Sequence, residues 1–213
     1  GVKELVIVAQ DVTAYGIDLY KKYALPDLLK QLCKIDGIKW IRLLYCYPER
    51  MTDELIETIK TEDKVLNYID IPIQHCNKEI LRNMYRGGDE QSLRELFAKL
   101  RREIPGVVLR TTLITGFPGE TEEHFEHLRE FIEEVRFQHL GVFAYRAEEG
   151  TPAAAMPDQV EDRVKEWRRD LLMEAQADIS AEWLSRFEGD RLSILVDAPH
   201  PEWPGLHTGR AWF

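Results

Sequence analysis

Two kinds of apolar pattern alternate along this chain. Short unbroken runs rich in β-branched residues predict buried strands, and longer runs with apolar residues three and four positions apart predict helices. We therefore expect strands at residues 4–9, 39–44, 65–71, 107–114 and 139–145. Helices are predicted at residues 25–35, 52–59, 77–84, 91–102, 121–135 and, as one long charged helix, at about 160–187.

Strand and helix alternate five times, which is the order of a parallel α/β fold. A TIM-like barrel fits this order better than an open sheet. In such barrels the loops that follow the strands converge on one rim, where active sites lie. Polar residues follow the predicted strands at Gln10-Asp11, Gln74-His75, 116–120 and Arg146 with Glu148.

Residues 107–125 carry the clearest local signals. A β-branched run suited to burial on both faces leads into a Gly-Phe-Pro-Gly turn, and Thr121 then caps a helix with acidic residues in its first turn. The turn is not a P-loop, because no lysine follows Gly119 to reach phosphates. Taken alone, a glycine-rich turn before a helix is more often plain topology than a ligand site.

The pattern changes after Gly189, which ends the long helix. Residues 191–196 predict the first strand of an all-β unit, and the prolines that follow predict an irregular stretch. We assign residues 1–188 to the barrel and 189–213 to the beginning of a small β domain. Since the chain begins inside a strand and ends without a closing pattern, we expect it to be a fragment.

Composition narrows the classes of protein that fit. The formal charge of −10 disfavours broad, sequence-independent binding of nucleic acid by the body of the protein. The three cysteines, Cys33, Cys46 and Cys76, are too few and too scattered for a disulfide scaffold, which favours the reducing cytosol. No apolar run approaches the length of a membrane span, so we expect a cytoplasmic protein with no membrane partner.

Five sequence blocks in order resemble the radical S-adenosylmethionine methylthiotransferases. They read AQDVTAYGIDLY, YCYPER, DIPIQHCNKEILRNMYRGG, RTTLITGFPGETEEHF and FAYRAEEGTPAA, within residues 2–179. The sequences Gln10-Asp11-Val12-Thr13 and Asp70-Ile71-Pro72 are most similar to one branch. That branch adds a methylthio group to the β-carbon of an aspartate in a small-subunit ribosomal protein.

The resemblance implies a partial (β/α)6 barrel of which five strands are present. The absent first strand would carry the CxxxCxxC loop that holds a 4Fe–4S cluster, and an absent N-terminal domain would carry a second cluster. No cysteine of this chain matches either set, so we expect the fragment to be inactive and assign it no metal ligand. The β domain resembles the start of a TRAM domain, which implies contact with RNA, and the chemistry implies an electron donor such as flavodoxin or ferredoxin.

The resemblance also implies which residues bind S-adenosylmethionine, the cofactor that the strand ends must orient. Four residues would lie under its methionine part: Gln10, Asp11, Tyr15 and Gly16. For Gln10 and Asp11 the alternative is a plain turn that leaves the strand. Gln74 and His75 would face its ribose, with a histidine bonded to backbone as the alternative for His75.

Two arginines, Arg86 and Arg110, are candidates to bind the cofactor carboxylate, because a guanidinium group can donate two parallel hydrogen bonds to a carboxylate. An ion pair is an equal alternative for Arg110, which lies inside an apolar strand, and is the favoured one for Arg86. The loop residues Gly116, Pro118 and Gly119 would let the backbone approach the cofactor closely.

Three further residues have open roles at the same strand ends. Glu120 either contacts the cofactor or only complements the helix dipole. Phe143 and Tyr145 are candidates to stack on adenine, and a buried aromatic pair is the alternative, slightly preferred for Phe143.

Two other functions remain open from the sequence. One is a tRNA-adenosine methylthiotransferase of the same family, which a basic face on the completed β domain would favour. The other is a barrel that binds a partner without catalysis, which a full-length gene lacking the cluster cysteines would favour. A lyase that works through a Schiff base is disfavoured, because no lysine follows a predicted strand.

Overall fold

The computed structural model describes all 213 residues. Five parallel strands form one sheet in the order in which they occur along the chain, with helices in the connections. The strands are β1 (Glu4–Ile7), β2 (Trp40–Leu43), β3 (Val65–Asp70), β4 (Val108–Thr115) and β5 (His139–Ala144). A parallel sheet wound in sequential order is the architecture of a partial TIM-like barrel, which confirms the predicted α/β fold.

Seven helices accompany the strands. They are α1 (Ile17–Tyr20), α2 (Leu25–Leu32), α3 (Asp53–Thr61), α4 (Lys78–Asn83), α5 (Glu90–Glu103), α6 (Glu122–Val135) and α7 (Asp162–Ser185). The predicted caps are confirmed: Thr52, Asn77 and Thr121 each accept a hydrogen bond from a backbone N–H in the first turn of the helix that follows. Only the short α1 was not predicted.

The main core lies between the sheet and the helices. Four phenylalanines are fully buried in it, of which three belong to α5 and α6 and the fourth follows α6: Phe97, Phe125, Phe131 and Phe137. The rings of Phe97 and Phe137 meet edge to face with centroids 4.9 Å apart. Burying each such side chain contributes about 2 kcal/mol, so these residues fix the helices against the sheet.

The C-terminal stretch forms a separate two-stranded antiparallel sheet, β6 (Ile194–Pro199) with β7 (His207–Ala211). The strand predicted at residues 191–196 is therefore displaced by three residues. The proline-containing stretch that follows is irregular as predicted, and β7 beyond it was not predicted. Arg210 ties this hairpin to the barrel by donating to the buried carboxylate of Glu4 at 2.7 Å, and Glu4 also pairs with Arg42.

None of the helices is both long enough and apolar enough to cross a membrane.

Candidate cofactor site

A cavity of about 230 Å³ lies at the carboxyl ends of the parallel strands. Five of the residues predicted to bind the cofactor line it together: Gln10, Gln74, Arg86, Arg110 and Phe143. The lining is completed by Tyr45, Cys46, Tyr47, Pro72 and Thr112. The strand ends thus bring together residues that are as much as 133 positions apart in the sequence, counted from Gln10 to Phe143.

Arg110 forms an ion pair with Asp70 at the end of the neighbouring strand. Its Nη1 donates to Oδ1 of Asp70 at 2.7 Å, and the Asp70 side chain is only 1% exposed. The second carboxylate oxygen accepts a hydrogen bond from the Tyr45 N–H at 3.1 Å. Burial acts to lower the pKa of Arg110, but the charge and hydrogen bond of Asp70 outweigh burial and raise that pKa. Asp70 therefore neutralises most of the charge of Arg110 within the protein.

Arg86 has no acidic partner within ion-pair distance. Its Nη1 donates to the backbone carbonyl of Pro72 at 3.1 Å, and its guanidinium lies over the Tyr47 ring at 4.4 Å from the ring centroid. These two contacts fix the plane of the guanidinium without neutralising it. Of the two arginines in the lining, Arg86 is the one that offers an uncompensated positive charge to a ligand.

Gln74 occupies the corner of a tight turn just after β3. Its φ is 69°, a left-handed value that a non-glycine residue rarely adopts, and the His75 N–H closes the turn by donating to the Ile73 carbonyl at 2.9 Å. The backbone of β4 holds the corner from the other side: Gln74 N–H donates to Thr112 O, and Ile114 N–H donates to Gln74 O, each at 2.9 Å. Strain of this kind clusters at binding sites, and here it places the Gln74 side chain in the cavity.

Replacing Gln74 by glycine tests whether that strain serves binding. We expect the free energy of unfolding to rise by about 1 kcal/mol, because relief of the left-handed φ outweighs the entropic cost of glycine. Binding of S-adenosylmethionine to the full-length protein should weaken about tenfold through the lost amide. Chemical denaturation and equilibrium dialysis measure the two quantities. Tyr85→Gly is the matched control, since Tyr85 has a φ of 57° but lies outside the cavity lining.

Phe143 presents its ring to the cavity and is 62% exposed. The alternative of a buried aromatic pair is wrong for this residue. The buried contact is made by Tyr145, whose ring meets Phe117 edge to face at 5.2 Å between centroids. Tyr145 borders a different cavity of about 410 Å³ between the end of β5 and the start of α7.

The loop after β1 places three predicted residues outside the cavity lining. Asp11 caps a short 3-10 turn through the Thr13 N–H at 2.9 Å and forms an ion pair with Arg50. Tyr15 lines a separate depression on the outside of the barrel. Gly16 has a φ of 89°, and a Cβ there would lie 2.6 Å from the Cβ of Ala24, so packing alone requires glycine.

The glycine-rich loop after β4 receives a side chain of the protein itself. A Cβ on Gly116 would lie 2.1 Å from Cγ of Lys165, so the space that this glycine leaves open is filled by α7. Pro118 is buried, and the Gly119 N–H donates to the Asp158 carbonyl at 3.0 Å. The predicted close approach of the backbone to the cofactor is therefore not observed at Gly116, because the Lys165 side chain occupies that space.

His75 and Glu120 are buried away from the cavity lining. Nδ1 of His75 accepts a hydrogen bond from the Asn77 N–H at 2.9 Å, which is the backbone-bonded alternative for this histidine. Glu120 accepts from the Gly116 N–H and from Arg168. Binding of the cofactor by the residues that do line the cavity stays a prediction.

No three or more His, Cys, Asp or Glu side chains are close enough together to hold a metal ion. The three thiols are also harder to deprotonate than an ordinary cysteine, which disfavours the thiolate form that a metal ligand needs. Burial raises the pKa of Cys76 to about 12 and also raises that of Cys46. Burial and a hydrogen bond with Glu62 raise the pKa of Cys33 to about 11. The side chains of this chain therefore do not fit an iron–sulfur cluster.

These pKa shifts predict slow alkylation of all three thiols in the folded protein. For Cys33, a pKa of about 11 in place of 9.0 lowers the thiolate fraction at pH 8 about 100-fold. Iodoacetamide labelling followed by peptide mass spectrometry quantifies each cysteine separately, and the same labelling in urea gives the reference rate. A thiol that reacts as fast in the native protein as in urea would contradict the assignment.

Sequence reasoning missed two contributors to the site. Asp70 was quoted only as part of a motif, although a carboxylate at the end of a buried strand needs a partner and so signals an ion pair. Tyr47 supports Arg86 from the loop after β2, and nothing in the sequence pairs these residues.

Comparison with known proteins decides the family. Residues 1–132 match the family model described as the radical SAM superfamily. The chain belongs to the radical SAM superfamily.

Solved structures with similar folds share little sequence identity with this chain, so they support the fold alone. Coproporphyrinogen III oxidase HemN from Escherichia coli has a TM-score of 0.53 at 20% identity, covering 75% of this chain and 36% of that chain. The radical S-adenosylmethionine methyltransferase TsrM from Kitasatospora setae has a TM-score of 0.56 at 15% identity, covering 72% of this chain and 30% of that chain.

Two other relatives are far more similar in sequence. A protein from Nitratidesulfovibrio vulgaris strain DP4 named "Ribosomal protein uS12 methylthiotransferase RimO" is 55% identical over 100% of this chain and 50% of its own length. A protein of the same name from Lachnoclostridium phytofermentans is 50% identical over 100% of this chain and 48% of its own length. The chain thus spans about half the length of these relatives.

Proposed function

We propose that this chain is the barrel portion of a radical SAM methylthiotransferase that modifies ribosomal protein uS12. The observation that carries the proposal is the 55% identity to the RimO protein of Nitratidesulfovibrio vulgaris along the entire chain. The reaction would place a methylthio group on the β-carbon of an aspartate. Because the relatives are about twice as long, the complete activity belongs to the longer protein.

The cavity lining suits S-adenosylmethionine in its chemistry. Arg86 offers a free guanidinium for the carboxylate, the amides of Gln10 and Gln74 offer hydrogen bonds, and Phe143 offers an aromatic face. At about 230 Å³ the cavity is smaller than sites that enclose a whole ligand of this size, so these residues would hold only part of the cofactor. When bound, S-adenosylmethionine supplies the radical chemistry that activates a C–H bond of the substrate.

The protein's own contribution is orientation and charge. Arg86, fixed by Tyr47 and the Pro72 carbonyl, would bind the carboxylate without having to reorganise. Arg110 would keep Asp70 paired and so hold the Tyr45 backbone at the rim. The residues of this chain do not fit an iron–sulfur cluster, and the two 4Fe–4S clusters remain an expectation for the longer protein.

The remaining parts of the proposal concern partners. The formal charge of −10 suits a basic ribosomal protein as substrate. The hairpin within residues 189–213 would begin a TRAM-like domain that contacts RNA, and a flavodoxin or ferredoxin would supply electrons. Such an enzyme would work in the cytoplasm, where ribosomes are assembled.

Reconstitution of the full-length enzyme tests the substrate. We expect anaerobic incubation with S-adenosylmethionine, a sulfide source and a reductant to add the mass of one methylthio group to uS12 and nothing to tRNA. Peptide mass spectrometry would place the addition on an aspartate. Methylthio-adenosine in the tRNA digest, with unmodified uS12, would instead favour the tRNA-modifying branch. No modification of either, with S-adenosylmethionine still bound, would favour a barrel that binds without catalysis.

A further inference from the structure

The loop after β4 and helix α7 meet at one buried carboxylate, that of Glu120. Its side chain is fully buried. Oε1 of Glu120 accepts hydrogen bonds from the Gly116 N–H at 2.9 Å and from Nη1 of Arg168 at 2.8 Å. Arg168 also donates from Nη1 to the Glu120 carbonyl at 3.1 Å and from Nη2 to Glu122 at 2.9 Å. The carboxylate therefore joins the loop after β4 to helix α7.

His75 brings a third segment to the same carboxylate. Its Nδ1 accepts from the Asn77 N–H, so in the neutral ring the proton lies on Nε2. Nε2 lies 3.5 Å from Oε2 of Glu120, an approach too loose to count as a hydrogen bond, and neither buried atom has a hydrogen-bond partner. Moving the ring away would separate the Nε2–H further from the buried carboxylate oxygen, where neither group has another partner, and this is unfavourable.

The position of His75 matters because this residue directly follows Gln74. The left-handed turn at Gln74 persists only while the surrounding structure holds it. β4 holds the Gln74 backbone, and the fully buried ring of His75 holds the residue on its carboxyl side. We propose that Glu120 is a positioning residue, which acts through His75 and the Gly116 N–H to fix the Gln74 turn in the arrangement that binds S-adenosylmethionine.

This inference rests on the cofactor of the proposed function and not on the identity of the substrate. It also differs from the prediction that Glu120 contacts the cofactor, because Glu120 does not line the cavity. A purely structural role would lower thermal stability and leave cofactor affinity in the folded protein unchanged.

Two substitutions in the full-length holoenzyme separate these roles. In Glu120→Gln the side-chain amide must point one of its N–H groups at a donor, either at His75 Nε2 or at Gly116 and Arg168. In His75→Asn the Oδ1 can still accept from the Asn77 N–H as an Asx turn, whereas the approach to Glu120 and the packing of the buried ring are lost. Leu128→Ala, in the core side of α6, is the control for general loss of stability.

The readout is the Kd for S-adenosylmethionine, measured by equilibrium dialysis well below each variant's Tm. We expect each single variant to bind at least fivefold more weakly and Leu128→Ala to bind like the wild type. Because Glu120 acts partly through His75, the double variant should bind about as weakly as Glu120→Gln alone, whereas independent effects would multiply.

Wild-type affinity in both folded single variants would overturn the proposal, and so would fully multiplicative effects. If Glu120→Gln does not fold, His75→Asn alone decides the proposal by the same Kd. Wild-type holoenzyme that binds no S-adenosylmethionine would overturn the inference together with the proposed cofactor, whereas binding without modification of uS12 would contradict only the proposed substrate.

Discussion

Replacing Arg110 by alanine is expected to lower the free energy of unfolding by about 2–3 kcal/mol. The substitution leaves the carboxylate of Asp70 buried without its charged partner, and such a loss typically costs about 3–5 kcal/mol. The lower figure applies because the Arg110 side chain is 35% exposed, so solvent already screens part of the interaction. For a chain of this size the change corresponds to a fall in Tm of about 5–10 °C, which differential scanning calorimetry measures.

Two controls show whether the buried charge is the cause. The double variant Asp70→Asn with Arg110→Ala should be more stable than Arg110→Ala alone, because no charge is left unpaired. Arg129→Ala removes an arginine from exposed ion pairs on α6 and should change stability by less than about 1 kcal/mol. Equal effects of Arg110→Ala and Arg129→Ala would show that the Asp70 pair contributes little.

Replacing Arg86 by alanine is expected to weaken the binding of S-adenosylmethionine strongly and to change stability only slightly. The affinity for S-adenosylmethionine should fall about 100-fold, because a charged hydrogen bond to a carboxylate is worth about 2–3 kcal/mol. Stability should change by less than about 1 kcal/mol, since Arg86 has no buried acidic partner and gives up one hydrogen bond to Pro72 and its contact with Tyr47.

Equilibrium dialysis on the full-length protein checks the affinity, and Arg86→Lys separates charge from shape. Lysine keeps the charge but cannot stack flat on Tyr47 or form two parallel hydrogen bonds, so we expect it to recover only part of the affinity. Wild-type affinity in Arg86→Ala would remove Arg86 from the site and leave Arg110 as the candidate for the carboxylate.

The fold could be predicted almost completely from the sequence, because each element carries its own local signal. β4 shows a run rich in β-branched residues, and α6 shows a cap at Thr121 followed by apolar residues at helical spacing. The strand β7 was missed because His207–Ala211 has little apolar pattern, and its position depends on pairing with β6. Local propensity does not encode such a pairing.

The site was predictable only in part, because its geometry depends on contacts between distant segments. The sequence indicates that residues such as Gln74 and Phe143 follow strands, and the fold then brings them to one cavity. It does not indicate that Lys165 fills the space beside Gly116, since these residues lie 49 positions apart. An ion pair was favoured for Arg86 and was only an equal alternative for Arg110, but the structure has the pair at Arg110 and none at Arg86. The sequence could not distinguish the two arginines, because the position of Asp70 decides which of them is paired.

The intact mass of uS12 from cells shows whether the full-length protein modifies this substrate. We expect deletion of the full-length gene to remove one methylthio group from uS12. The wild-type gene should restore that mass, whereas a folded Arg86→Ala variant should not. An unchanged uS12 mass in the deletion strain would contradict the proposed function, and full restoration by Arg86→Ala would contradict the site assigned to the cavity.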